Sequence, residues 1–321
     1  MRSAAFLILP TLFLCLSAMT FPDRDWREAK PEEVGLSSEK LKVAIQYLKK
    51  HSGRNGVKRL FIVRFGKVVW KGKEAEVRQP VWSVTKAFLS AAQGLLIEDG
   101  LCTLSTKAAK YNPRDLSKYY SGVTLRHFAT MTSGYDGVGG SYDFDEKGRG
   151  DQNAFVRPLK PFFPPGTKFQ YWDEATQQYG YVLTKIAGRS LYSYLRERIL
   201  DPIGISRFAW RKDSTGKVLN WTGGIEISAS DIARFGLLYL NRGKWKGKSF
   251  LSEEWIEGST SVQVPPWIPD ALPKSNRKGS GVYGFHWWVN GRRPDGTRLW
   301  PHAPLETYCR SGYNNNRLFV I

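Results

Sequence analysis

The four residues Ser83-Val84-Thr85-Lys86 stand directly before an apolar run, Ala87 to Ile97, that ends near Gly100. A helix beginning there places Ser83 in the first turn, where the partial positive charge of the helix N-terminus favours an alkoxide. A side chain three positions on lies on the same face, so the Lys86 amine can reach the Ser83 hydroxyl. Partial burial would lower the pKa of that amine, letting it act as a base and making Ser83 a nucleophile. Alone, the four-residue pattern is weak, because a serine capping a helix ahead of an exposed lysine spells the same letters. Other candidates carry less. Ser133 has no lysine three positions later, and His51, His127, His286 and His302 lack metal-ligand spacing. Neither a P-loop nor a dinucleotide fingerprint is present, no metal or cofactor is expected, and a Ser-His-Asp triad is a matter of geometry rather than order.

The surrounding periodicities describe the elements that must hold this pair. Leu41, Ala44 and Leu48 share a face after the start signal Ser37-Ser38, predicting a helix to His51. Leu60 to Phe65 and Val68 to Trp70 flank Gly66-Lys67 and predict an antiparallel hairpin, which argues against a doubly wound parallel sheet. From Ala87 to about Ser206 the signals are mostly helical, with loops rich in Gly and Pro around Ser133 to Gly150 and Lys160 to Gly166, and with Tyr179 to Ala187 and Leu191 to Leu200 split by Gly188-Arg189. A helix follows from Asp231 to Leu240, then strand-like Tyr283 to Val289 and Arg317 to Ile321. Sheet elements at about 21–95 and 215–321 thus bracket a helical region at about 96–214.

Hydrophobic residues make up 41% of the 321 positions, enough for a large core. The formal charge of +19 is spread without a long basic run. Such a field draws anionic partners, but no helix concentrates the basic residues and no nucleic-acid motif occurs, so a nucleic-acid partner is not expected. Met1 to Thr20 carries Arg2, an apolar stretch from Ala4 to Leu16 and small residues near Ala18, the pattern of a signal peptide. The run is short for a membrane span, so residues 21–321 are expected to form an exported, periplasmic or extracellular protein without stable membrane insertion. Cys15 would leave with the leader. Cys102 and Cys309 remain, and whether they pair is open, as is the oligomeric state.

Several separated segments resemble the β-lactamase-related serine hydrolases, the superfamily of class C β-lactamases and penicillin-binding proteins. The similarity lies in Pro80 to Phe88 with Gly94 to Gly100, in Val123 to Phe128 with Met131 to Tyr135, in Phe163 to Gly166 ahead of Tyr171, and in Ala229 to Tyr239. It covers most of the chain after residue 30. The resemblance implies an α+β fold: an antiparallel sheet flanked by helices, an α/β sandwich, with an inserted all-helical domain and the site in the cleft between them. It places the second motif at Tyr171-Trp172-Asp173, where Tyr171 would share proton transfer with Lys86. Asp173 stands where Asn is usual; its carboxylate could pair with Lys86 and favour substrates presenting N–H groups or positive charge. The third motif falls on Arg310-Ser311-Gly312, with Arg310 offered to a substrate carboxylate and the N–H of Tyr313 joining that of Ser83 in an oxyanion hole. Asn314 to Asn316 could equally be a turn.

Together these readings imply hydrolysis of an amide or ester, such as a β-lactam, a D-amino-acid peptide, a small ester or a peptidoglycan fragment, through an acyl-enzyme on Ser83. The alternative is a catalytically silent protein that binds cell-wall fragments or scaffolds a complex on the same fold. The chain stops inside the apolar run Leu318 to Ile321, so a further strand and helix beyond it are expected.

Overall fold

The computed structural model describes residues 19–53, 56–136, 158–212, 219–272 and 274–321. The leader pattern, apart from its last two positions, lies outside them, as does most of the Gly-rich loop that starts at Ser133. In chain order the described elements are α1 (Ser38–His51), β1 (Phe61–Arg64), β2 (Lys67–Lys71), β3 (Gln79–Pro80), α2 (Thr85–Glu98), α3 (Pro113–Leu116), α4 (Leu125–Ala129), α5 (Asp173–Ala187) and α6 (Leu191–Leu195). Then come β4 (Phe208–Trp210), β5 (Ile225–Ile227), α7 (Ala229–Leu240), β6 (Lys244–Trp245), β7 (Lys248–Ser249), α8 (Glu253–Ser259), β8 (Trp288–Val289), β9 (Tyr308–Gly312) and β10 (Asn316–Val320).

Helix α2 is the centre of the core. Every residue from Thr85 to Leu96 is buried, as expected of a helix without a solvated face. Helices α5 and α6 pack against it, and the Phe88 ring stacks on Phe235 of α7 with centroids 4.2 Å apart. Gly94 permits one of these contacts, since a Cβ there would stand 2.4 Å from the Trp255 ring. Helix α1 starts where its cap signal predicts, the Ser37 side chain accepting the Lys40 N–H.

The strands are antiparallel and form small sheets: β1 with β2, β6 with β7, β3-β5-β4, and β10-β9-β8. The expected mixed α+β architecture is present, with the strand pairing divided among short sheets. The hairpin at Gly66-Lys67 forms as predicted. The strand expected over Tyr283 to Val289 contracts to Trp288–Val289, because His286 adopts a φ of 62° and interrupts the extended backbone.

In the β8-β9-β10 sheet, strand alternation decides which side chains face the cleft. Arg317 pairs with Ser311 and Phe319 with Cys309 across β9 and β10, and these four line a cleft. Leu318 and Val320 point the other way, are buried, and approach Gly236 of α7. Tyr308 and Arg310 share that inward face of β9 and are buried as well. Cys102 and Cys309 are both buried free thiols.

Candidate active site

Ser83 occupies a single 3-10 turn, Trp82–Val84, that runs straight into α2. Trp82 just before it has a φ of 51°, a left-handed conformation that costs energy for a bulky side chain. The Trp82 ring is braced edge-on against Tyr313, centroids 5.5 Å apart. Val81 is tied to the neighbouring strand, its N–H donating to Ile225 O at 3.0 Å.

Lys86 is fully buried. Its Nζ donates to Ser83 Oγ at 3.0 Å and to Thr222 O at 2.9 Å, and forms an ion pair with Asp173 Oδ1 at 2.7 Å. Burial of the charge is tolerable because two hydrogen bonds and an opposite charge compensate it. Asp173 reaches this point because it opens α5, where a carboxylate in the first turn is also favoured by the helix dipole. Its carboxylate is thus engaged with Lys86, and it is not among the cleft-lining residues. The Asp173 side chain stays part-exposed.

Tyr171 lies near Ser83, whose side chain favours the ionised phenol. Its ring stacks on Trp288, centroids 6.0 Å apart, with Lys86 Nζ 5.1 Å from the ring centre. Burial works against ionising the phenol. The Arg310 guanidinium and the Lys86 charge outweigh that effect and hold Tyr171 below its ordinary pKa.

Arg310 is where the geometry departs most from the sequence expectation. Its side chain is fully buried, and the guanidinium donates to four acceptors: Ser83 O at 2.8 Å, Tyr283 OH at 3.0 Å, His286 O at 2.9 Å and Tyr171 OH at 2.5 Å. It is not available to a substrate carboxylate. Strand alternation is the reason, since Ser311 faces the cleft and its neighbour must face inward. Sequence reasoning missed Tyr283, His286 and Thr222, which contribute by one hydroxyl and two backbone carbonyls. A carbonyl leaves no signal in a sequence.

Gly312 ends β9 beside Ser83, and Tyr313 opens the 3-10 turn that follows. A Cβ on Gly312 would lie 2.2 Å from Val81 O and 3.1 Å from Ser83 N, so only glycine lets the strand edge lie this close to the Ser83 turn. The Asn run is a turn: Asn314 and Asn315 have φ of 57° and 59°, a region asparagine tolerates better than most residues. In front of Ser83 opens a cleft of about 440 Å³ lined by Tyr171, Ser311, Gly312 and Tyr313. Four cations that sequence reasoning did not single out, Arg277, Lys278, Arg293 and Arg317, line it too.

The beta-lactamase family model matches residues 45–316. This chain belongs to the beta-lactamase family. Among curated relatives of this beta-lactamase-family chain, a beta-lactamase of Escherichia coli (strain K12) is 29% identical over 124 residues, covering 39% of this chain and 32% of that protein. A 6-aminohexanoate-dimer hydrolase of Paenarthrobacter ureafaciens is 23% identical over 240 residues, covering 67% of this chain and 58% of that one. The chain therefore spans less than two thirds of either relative's length. Among solved structures, a proposed 6-aminohexanoate-dimer hydrolase from Bacillus anthracis shares the fold, with a TM-score of 0.69 and 20% identity over 94% of this chain and 80% of that one.

Proposed function

We propose that this protein is a serine hydrolase that cleaves an amide or ester through an acyl-enzyme on Ser83. The observation that carries this reading is the meeting, at the cleft, of the Ser83 hydroxyl with Lys86 at 3.0 Å and with a phenol held in its acidic direction by Arg310. Tyr171 takes the Ser83 proton while Oγ forms a bond to the substrate carbonyl carbon. Lys86, hydrogen-bonded to Oγ, stabilises the developing alkoxide. The N–H groups of Ser83 and Tyr313 receive the oxyanion. Collapse of the tetrahedral intermediate breaks the bond to the amine or alcohol, which leaves with the proton from Tyr171. Water then adds to the acyl-enzyme, gives a proton to Tyr171 and releases the acid, and that proton returns to Ser83 Oγ.

Arg310 is a positioning residue here: one guanidinium holds both the carbonyl of the nucleophile and the hydroxyl of the base. The fully engaged Lys86, Tyr171 and Arg310 favour this reading over a silent binding protein. Linear amides and simple esters are the proposed substrates, a class consistent with the name of the Paenarthrobacter relative. The leader pattern supports export, and among the described residues no helix is long and apolar enough to cross a membrane. The test is stoichiometric labelling with a fluorophosphonate, followed by peptide mass mapping. One adduct on Ser83, absent in Ser83→Ala with an unchanged melting curve, is expected. No adduct, or an adduct on another serine, would overturn the assignment.

A further inference from the structure

We propose that the cleft in front of Ser83 is built for acyl substrates carrying two or more negative charges, bound by Arg277, Lys278, Arg293 and Arg317. The proposal rests on Ser83 being the nucleophile and names the substrate class.

The cleft walls contain those four cations and no aspartate or glutamate. Some cations elsewhere are matched with acids, as in Arg59 with Glu74, Arg189 with Glu197 and Arg242 with Glu253, whereas no acid lines the cleft. Among the described residues, Lys278, Arg293 and Arg317 form no ion pair. Asp173, the carboxylate of the second motif, is occupied by Lys86 at 2.7 Å, and Asp270 accepts the Gly279 N–H at 2.8 Å. Arg277, Lys278 and Arg317 are exposed and Arg293 is half-buried; like charges sharing a concave surface raise the local potential and concentrate anions there.

Placement sharpens the inference. Arg277 stands over the Tyr171 ring, 5.1 Å from its centre. Arg317 pairs in register with Ser311, one residue before Gly312. Positive charge is therefore available on both the tyrosine side and the strand side of the nucleophile. The amides of Asn276, Asn314 and Asn315 add hydrogen-bonding groups along the same wall. Because Arg310 is internal, a substrate carboxylate is left to these outer cations. A monoanion would engage part of the set; a di- or tri-carboxylate, or a run of an acidic polymer, would engage both sides.

The experiment compares p-nitrophenyl esters matched in acyl length: butyrate (neutral), the glutarate monoester (one carboxylate) and a tricarballylate monoester (two). Each carboxylate should raise kcat/KM by about fivefold at low salt, the size of one Coulomb contact in a high dielectric. High salt should flatten the series, since exposed charges are screened. The double variant Arg277→Gln/Arg317→Gln should collapse the ratio of dianionic to neutral ester towards unity, whereas Lys42→Gln, which removes a charge from the exposed face of α1, should retain it. A neutral ester preferred by the parent protein, or a ratio unchanged in the double variant, overturns the proposal. Calorimetric titration of Ser83→Ala with tricarballylate separates the two claims. Salt-sensitive binding that the double variant loses supports the anion site even if no ester is turned over. Absence of binding rejects it even if Ser83 is labelled.

Discussion

Replacing Arg310 by lysine keeps a positive charge but removes the planar fork that connects four buried acceptors. A lysine ammonium has three donors radiating from one atom and cannot span Ser83 O, Tyr171 OH, Tyr283 OH and His286 O together. An abandoned buried acceptor costs about 1–3 kcal/mol, and a charge-assisted hydrogen bond contributes about 1.5–3 kcal/mol. If the tie to Ser83 O is lost and the grip on Tyr171 slackens, the barrier should rise by about 3–4 kcal/mol, or roughly 10²–10³-fold in rate. The assay is the second-order rate constant for fluorophosphonate labelling as a function of pH, with a melting curve to establish that the fold survives. The pH profile distinguishes positioning from mere support. Arg310 is the leading influence that lowers the Tyr171 pKa against burial, so a weaker hold raises it. A base acts when deprotonated, so the rising limb of the profile should move to higher pH. A labelling rate within about threefold of the parent, with the limb unmoved, would refute the idea that Arg310 sets the nucleophile and base.

Gly312→Ala should cut labelling by about 10²-fold or more while the protein stays folded, because relieving a 2.2 Å approach to Val81 O must shift the strand edge beside Ser83. A near-normal labelling rate would show that the strand moves freely. Burial, reinforced by the neighbouring Asp173 charge, pushes the Glu174 carboxyl up to about 7. A raised acid binds its proton more tightly in the folded state, so its stabilising contribution is complete below the ordinary carboxylate range and is lost as pH rises through about 7. Glu174→Gln should therefore raise stability at mildly alkaline pH by roughly 1–3 kcal/mol and flatten the pH dependence of urea midpoints. A pH dependence identical to the parent's would count against this. Asp173→Asn removes one partner of a largely buried ion pair and should lower stability by about 1–3 kcal/mol, less than for a fully buried pair because Asp173 is part-exposed. An unchanged midpoint in urea unfolding would show that the pair contributes nothing net.

What the sequence determined by itself was local. The Ser83 and Lys86 spacing, the capped start of α1, the Gly66-Lys67 hairpin and the alternation along β10 follow from periods of 3.6 and 2, which depend only on neighbours along the chain. The order of separated motifs added the family and the α+β fold. Three things were decided only when distant segments met. Lys86 is bound by a backbone carbonyl at Thr222 and a carboxylate that begins α5. Arg310 was legible as a residue near the nucleophile, but its direction depended on the register of β9, which puts Ser311 in the cleft and Arg310 behind Ser83. The cations of the cleft come from positions 277, 278, 293 and 317, separated in sequence by loops and a strand, and no period links them. Side-chain direction and long-range proximity are properties of the packed sheet and helices, so the chemistry of Ser83 could be anticipated from its neighbours, while the surroundings that would tune it could not.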